Sequence, residues 1–128
     1  MGELSTLVDT SVLIGRAAGL GSAGDGGWAV SAVAIGELHA GVLLAERSAT
    51  RAARLRRLTA VVSVALVLDV DRAVAECYGE LRAASGRSPT NDLWIAATAL
   101  AHDLTLLTRD ERQAALPLIR TTLIATGG

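Results

Sequence analysis

The stretch LSTLVDTS, residues 4–11, is the part of the sequence that decides the fold. Its first five residues are rich in apolar and β-prone types, and Asp9, Thr10 and Ser11 follow them directly. A short apolar run that ends in polar residues is typical of a buried strand. We therefore predict a first strand over Leu4–Val8, with polar side chains at its carboxyl end, the edge where α/β folds bind ligands.

Downstream of this strand, helical and strand-like patterns alternate along the chain. Further strands are predicted within Ala29–Val33, Val61–Val70, Thr105–Leu107 and Ile119–Ile124. Helices are predicted over Ser11 to about Ala18, Ala32–Glu46 with Ser31 as its cap, Arg47–Leu58, Asp71 to about Ala84, Asp92–His102 and Asp110–Ala115, with loops over Gly19–Gly27 and Ser85–Thr90. Strands that alternate with helices predict an α/β fold, a parallel sheet with helices on both faces.

Length and composition fit one ordinary domain over residues 1–128. With 51% hydrophobic residues and a mean hydropathy of +0.42 the chain is not intrinsically disordered, and it is long enough to fold without disulfides. Trp28, Tyr78 and Trp94 are its only aromatic residues, which argues against an RNA-binding module built on aromatic stacking. The single Cys77, the absence of a membrane-length apolar run and an N-terminus without a basic segment predict a cytoplasmic protein.

All 12 basic residues are arginine, and the chain has no lysine. A P-loop nucleotide hydrolase and a Schiff-base enzyme each need a lysine, so both are excluded. Residues 19–24 match the dinucleotide-binding pattern G-x-G-x-x-G, but that pattern must follow a strand directly and open a helix, which is not the case here. His39 and His102 show no metal-ligand spacing, and we interpret both as structural.

Four carboxylates carry the strongest chemical signal: Asp9, Glu37, Asp92 and Asp110. Three of them stand at strand ends or helix starts, where each alone is about as well explained as a helix cap. Glu37 differs, because the residues one turn away on its helix are all apolar or glycine: Val33, Ala34, Ala40 and Gly41. A carboxylate on such a face needs a cation, a metal or a raised pKa.

Taken together, the four acids predict a metal site. In a parallel sheet, strand ends and helix starts share one edge, so Asp9, Asp92 and Asp110 converge there and Glu37 can join them. Clustered carboxylates repel one another unless a positive charge lies among them. Oxygen ligands of this kind indicate Mg²⁺, with Mn²⁺ as an alternative, and such an ion can activate water for attack on a phosphodiester.

Four blocks in this order resemble the PIN domains, most closely the VapC-type toxins of bacterial toxin–antitoxin modules. The blocks are LVDTSVLI at 7–14, AIGEL at 34–38, NDLWIAATA at 91–99 and LLTRD at 106–110. The resemblance implies a three-layer sandwich around a five-stranded parallel sheet, and a metal-dependent endoribonuclease with one or two Mg²⁺ ions held by the four acids. It also implies a cognate antitoxin, whose basic side chain enters the acidic site, and a homodimer.

The resemblance further implies supporting roles for Thr10, Ser11, Thr108 and Asn91 around the four acids. The chain departs from the family after Asp110, where an aromatic residue or a further acid is common and Glu111, Arg112 and Gln113 stand here. Glu111 is thereby a candidate fifth ligand. Arg16, Arg87 and Arg109 are candidates for guiding the RNA backbone, with solvated surface charge as the alternative for each.

Two other functions remain open from the sequence. One is a catalytically silent PIN-like domain that binds RNA or a protein, against which the four intact acids argue. The other is a phosphohydrolase that uses Asp9 as nucleophile, but Asp9-Thr10-Ser11 lacks the second aspartate two residues on that such enzymes require.

Overall fold

The computed structural model describes residues 4–14 and 27–124, in which five strands and six helices follow one another. The strands are β1 (Thr6–Val8), β2 (Trp28–Ser31), β3 (Leu66–Leu68), β4 (Thr105–Thr108) and β5 (Thr121–Leu123). The helices are α1 (Thr10–Leu13), α2 (Ala32–Leu44), α3 (Ser48–Val64), α4 (Arg72–Ser85), α5 (Thr90–Ala101) and α6 (Glu111–Ala114). Some predictions lie outside the described ranges: the predicted helical residues 15–18, which include Arg16, and the loop predicted over 19–27, of which only Gly27 is described.

All five strands are parallel and form one sheet in the order β3-β2-β1-β4-β5. The central strand β1 pairs through Leu7 with Ala29 on one side and with Leu106 on the other, and all three side chains are fully buried. Crossovers between parallel strands are right-handed, so strands added in opposite directions from β1 place helices on opposite faces. The predicted α/β fold with a central five-stranded parallel sheet is confirmed.

The sheet order creates a crevice at the carboxyl ends of β1 and β4. From β1 the chain builds β2 and β3 on one side, and then crosses back to add β4 and β5 on the other. Ligands of open α/β sheets bind at this point of reversal. The backbone N–H of Asp9 donates to Leu107 O at 2.9 Å, so β1 and β4 stay paired up to the first polar residue of the crevice.

A strand does lie within Val61–Val70 as predicted, but it is short and is not buried. Helix α3 continues to Val64, and only Leu66–Leu68 form β3. Leu58 and Val61 are buried three residues apart, the spacing of one helix face, and packing of α3 against α2 overrides the β-propensity of the valines. Because β3 lies at the sheet edge, Leu66 remains 54% exposed.

Other boundaries differ from the predictions by a few residues. Ser31 caps α2 as predicted, since its Oγ accepts from Val33 N at 3.1 Å, but the helix ends at Leu44. Helix α5 begins at Thr90 rather than Asp92, and the last strand is limited to Thr121–Leu123.

Arg82 fixes the loop that leads into α5. Its guanidinium donates to Gly86 O at 2.9 Å, to Ser88 O at 3.0 Å and to Thr90 Oγ1 at 3.3 Å. It also donates to the Tyr78 hydroxyl at 3.1 Å and lies 5.5 Å from the centre of that ring. Because an arginine in one fixed orientation satisfies all these groups, the start of α5 is held in place against α4.

Within the described ranges, no helix is both long enough and apolar enough to cross a membrane.

Candidate active site

Asp9 lies at the floor of the crevice, 4% exposed, directly after β1. Its Oδ2 accepts from the backbone N–H of Ser11 at 3.2 Å, from Ser11 Oγ at 2.6 Å and from Thr108 Oγ1 at 3.2 Å. No donor reaches its Oδ1 within residues 4–14 and 27–124. Asp9 is therefore both the cap of α1 and a carboxylate with one oxygen left for a ligand.

Ser11 and Thr108 tie β1 and β4 together beneath the site. Ser11 Oγ donates to Asp9 and accepts from the backbone N–H of Arg109 at 3.0 Å. Thr108 is fully buried, and its Oγ1 accepts from the backbone N–H of Asp110 at 3.0 Å. The two hydroxyls hold Asp9 and Asp110 in a fixed relation to each other.

Glu37 reaches the site from α2 and is held by two neutral donors. Thr10 Oγ1 donates to its Oε1 at 2.6 Å, and Asn91 Nδ2 donates to its Oε2 at 3.4 Å. Within the described ranges these donors, not a cation, satisfy the carboxylate. The face around Glu37 is only partly buried in the fold, because Ala34 is buried while Ala40 is exposed.

Asp92 occupies the first turn of α5 and carries the clearest electrostatic signature of the site. Its pKa is raised from 3.8 to about 6, first by burial and then by the negative charges of Asp9, Asp110 and Glu37, in that order of size. Arg112 lowers the pKa and offsets part of the rise. The other three predicted acids are therefore each close enough to Asp92 to repel its negative charge.

Asp110 caps α6, where its Oδ1 accepts from the backbone N–H of Arg112 at 2.9 Å. Glu111, the candidate fifth ligand, is exposed in the first turn of α6 and is not among the charges that act on Asp92. The structure thus groups Asp110 with the other three acids and leaves Glu111 outside them.

The donor chemistry fits a hard divalent cation, since every candidate ligand is a carboxylate oxygen. As the side chains stand in the described part of the chain, no three of the Asp, Glu, His and Cys groups are close enough to share one ion. Repulsion between like charges keeps carboxylates apart, so a cation would draw these side chains closer together.

The remaining predicted residues lie at the edge of the site or away from it. His39 is exposed on α2 and His102 is exposed at the end of α5, and neither contacts the acids in the described hydrogen bonds. Of the arginines predicted to guide the RNA backbone, Arg109 is half-buried and next to Asp110 in the chain, and Arg87 is exposed in the loop before α5.

A pocket of about 440 Å³ opens beside Glu37. Two arginines of α3 line it: Arg54, which donates to Gly41 O at 2.7 Å, and Arg57. The other lining residues are Thr10, Ile14, Leu38 and Gly41. The acidic crevice therefore continues into a mixed apolar and basic pocket between α2 and α3.

The family pattern of the PIN domain matches residues 6–118. The chain belongs to the PIN domain family. It is 41% identical over 124 residues to Ribonuclease VapC4 of Mycobacterium tuberculosis, a match that covers 87% of this chain and 90% of that one. The resemblance drawn from the four sequence blocks is confirmed.

Solved structures agree with this assignment. VapBC-5 of Mycobacterium tuberculosis, a member of the VapBC family of toxin–antitoxin systems, matches with a TM-score of 0.78 and 34% identity over 94% of this chain and 98% of that one. A second match is VapBC2 of Rickettsia felis, whose crystal structure contains a DNA fragment from its promoter. The TM-score is 0.82 over 96% of this chain and 100% of that one. At 20% identity the second match supports the PIN fold alone.

Sequence reasoning missed three side chains around this PIN domain site: Arg57, Arg112 and Gln113. Arg57 is one of several arginines on α3, and its position in the pocket depends on how α2 and α3 pack. Gln113 is 1% exposed and bonds to two segments that carry the acids. The available signal was the departure from the family pattern over the three residues after Asp110, of which Gln113 is the last.

Proposed function

We propose that this PIN domain is a metal-dependent endoribonuclease and the toxin of a toxin–antitoxin pair. The observation that carries the proposal is the convergence of Asp9, Glu37, Asp92 and Asp110 on one crevice, where burial and then the three other negative charges raise the pKa of Asp92 to about 6. Ribonuclease VapC4, at 41% identity, supports the same activity. The predicted cytoplasmic location is where RNA and a cognate antitoxin would both be available.

Mg²⁺ or Mn²⁺ would be held by these four carboxylates. When bound, the ion supplies Lewis-acid activation of water and neutralises negative charge on the phosphodiester. The chain's own groups prepare for this chemistry: Ser11 and Thr108 orient Asp9 so that Oδ1 stays free, while Thr10 and Asn91 orient Glu37. Arg109 and Arg87 would contact the phosphates of the RNA backbone.

RNA cleavage tests the proposal directly. We expect cleavage that requires Mg²⁺ or Mn²⁺, stops on addition of EDTA and leaves a 5′-phosphate and a 3′-hydroxyl. Because an external water attacks, a substrate with 2′-deoxyribose only at the cut position should still be cut. Product ends are identified by mass spectrometry.

The matched controls for this assay are His39→Asn and His102→Asn, since both histidines are exposed and neither is among the hydrogen-bond partners of Asp9, Glu37 or Asp110. Each variant should retain cleavage. Undiminished activity in EDTA, or 2′,3′-cyclic phosphate products together with an inert deoxy substrate, would show that the carboxylate mechanism is wrong.

A protein partner is proposed for the outer faces of α2 and α3. Leu43 and Leu44 on α2 are 72% and 77% exposed, and Leu55 on α3 is 49% exposed, next to the pocket that leads to Glu37. An antitoxin bound here could place a basic side chain among the acids, where the charges favour it. A homodimer of the chain is proposed as the second assembly.

The partner proposal predicts that Leu44→Asp weakens inhibition by the cognate antitoxin by about tenfold or more, as for a buried anchor worth at least ~1.4 kcal/mol. Leu118→Asp is the matched control, because Leu118 is 57% exposed but lies after α6. Inhibition is measured by titrating the antitoxin into the cleavage assay, and size-exclusion chromatography of the purified chain tests the dimer. Equal inhibition of both variants would contradict the assigned surface, and elution as a monomer would contradict the dimer.

A further inference from the structure

Gln113 is a buried polar side chain that the proposed mechanism has not used. It lies on the short helix α6, is 1% exposed, and is the only glutamine of the chain. A buried carboxamide must satisfy both its donor and its acceptor, or it destabilises the fold. Its partners therefore show what it holds together.

Both ends of the Gln113 carboxamide bind segments that carry the acids. Nε2 donates to the backbone carbonyl of Asp92 at 3.2 Å, and Oε1 accepts from Thr108 Oγ1 at 3.0 Å. The orientation of the amide follows from chemistry, because a flipped Oε1 would face the carbonyl oxygen of Asp92. Gln113 thereby links the first turn of α5 to the end of β4.

The Thr108 hydroxyl transmits this link to the other acids. It accepts from the backbone N–H of Asp110 at 3.0 Å, and it lies 3.0 Å from Gln113 Oε1 and 3.2 Å from Asp9 Oδ2. A hydroxyl has one proton, so Thr108 can donate to only one of these two acceptors at a time. When Gln113 takes that proton, Asp9 keeps only the two donors of Ser11 and retains more of its negative charge for a cation.

We infer that Gln113 is a positioning residue for the metal site, acting on Asp92 through its backbone and on Asp9 and Asp110 through Thr108. The inference rests on the proposed metal-dependent function. Hydrogen-bond partners of metal ligands commonly contribute about 10- to 100-fold to metal affinity. Gln113 is placed to contribute on this scale although it touches none of the four carboxylate groups in the described hydrogen bonds.

The test measures Mn²⁺ binding without RNA, by isothermal titration calorimetry on the full chain. Gln113→Met keeps the length of the side chain and removes both hydrogen bonds, and Thr108→Val removes only the hydroxyl. We expect each variant to weaken Mn²⁺ binding by about 10- to 100-fold. The double variant should weaken it by less than the product of the two single effects, because Gln113 acts in part through Thr108.

Thr98→Val is the matched control for loss of a buried hydrogen bond. Thr98 is fully buried on α5, and its hydroxyl contacts Trp94 O at 2.9 Å and Ser31 Oγ at 3.3 Å, outside the site. The control should lower the melting temperature as Gln113→Met does, but leave the Mn²⁺ dissociation constant unchanged. This pair separates positioning of the site from general stability.

The outcomes distinguish the inference from the proposed function. If the native chain binds Mn²⁺ and Gln113→Met binds it equally well, the inference is overturned and the metal-dependent function stands. If the native chain does not bind Mn²⁺ or Mg²⁺, the proposed function fails and the inference fails with it.

A measurement on the native chain covers the case in which Gln113→Met does not fold. The sequence holds one glutamine and one asparagine, so Gln113 and Asn91 give the only two carboxamide NH₂ pairs in a ¹H–¹⁵N spectrum. We expect Mg²⁺ to shift the Gln113 pair and the Asn91 pair together. A Gln113 pair that stays fixed while Asn91 shifts would overturn the inference.

Discussion

Asp9→Asn should lower RNA cleavage by on the order of 10³-fold or more, beyond the about 10²- to 10³-fold typical of removing one preorganised electrostatic group. The fold should survive, because asparagine caps helices as well as aspartate does. The amide oxygen can accept the hydrogen bonds that Ser11 now gives to Oδ2. The NH₂ group then stands where Oδ1 faced the site, and an NH₂ group cannot bind a cation.

Asp71→Asn is the matched control for this substitution. Asp71 caps α4, with its Oδ1 accepting from Val74 N at 3.0 Å, but it is exposed and is not among the charges that act on Asp92. Initial cleavage rates at saturating Mg²⁺ should be unchanged in Asp71→Asn. Retained cleavage in Asp9→Asn, with purified protein free of other nucleases, would remove Asp9 from the mechanism.

The central part of the fold and the grouping of the acids could be predicted because local signals and topology agree there. LSTLVDTS places polar residues directly after a buried strand, and parallel strands bring their carboxyl ends to one edge. Asp9 and Asp110 follow neighbouring strands, and Asp92 lies in the first turn of a helix that begins at the same edge. The positions of these three acids therefore depend on chain direction more than on side-chain packing.

Contacts over long sequence separations were not predictable in the same way. Thr10 donates to Glu37 across 27 positions, and Arg57 reaches the pocket only because α3 packs on α2. The extent of α3 was mispredicted because the valines near its end favour a strand locally, while Leu58 and Val61 continue a helix face that α2 covers. In each case tertiary packing supplied the information that the local pattern lacked.

Gln113 shows a different limit of sequence analysis. Helix α6 spans only Glu111–Ala114, too short for a hydrophobic period to identify its buried face. The resemblance to the family marked residues 111–113 as a departure, but only the two hydrogen bonds to Thr108 and Asp92 show what the Gln113 side chain does.

Asp92→Asn should abolish cleavage and, at the same time, stabilise the metal-free protein at pH 8. The folded-state pKa of Asp92 is about 6 and its ordinary value is 3.8, so the folded chain binds this proton more tightly than the unfolded chain does. Above pH 6 the charged carboxylate therefore costs stability, and this cost disappears as the pH falls from about 6 to below 4. Asparagine carries no charge and removes the cost.

Two effects of Asp92→Asn on stability oppose each other, and their sizes decide whether the free energy of unfolding at pH 8 rises or falls. A carboxylate in the first turn of a helix contributes about 0.3–1 kcal/mol, which the substitution loses. Against this, the neutral side chain no longer suffers the cost of burying a charge or the repulsion by Asp9, Asp110 and Glu37. This raises the free energy of unfolding by about 1–2 kcal/mol once solvent screening is allowed for. The net result at pH 8 is a modest rise in the free energy of unfolding, which urea denaturation measures.

The pH dependence provides the control for this last prediction. Near pH 4 the native chain should gain stability relative to Asp92→Asn, because Asp92 is then protonated in the folded state and the repulsion is gone in both proteins. Asp69→Asn, an exposed aspartate after β3, should show no such change between pH 4 and pH 8. If Asp92→Asn is less stable than the native chain at pH 8, the four carboxylates do not strain the metal-free fold, and the electrostatic argument for a cation at this site loses its basis. A higher stability at pH 8, combined with lost cleavage, would mean that the chain retains a destabilising carboxylate because its chemistry requires it.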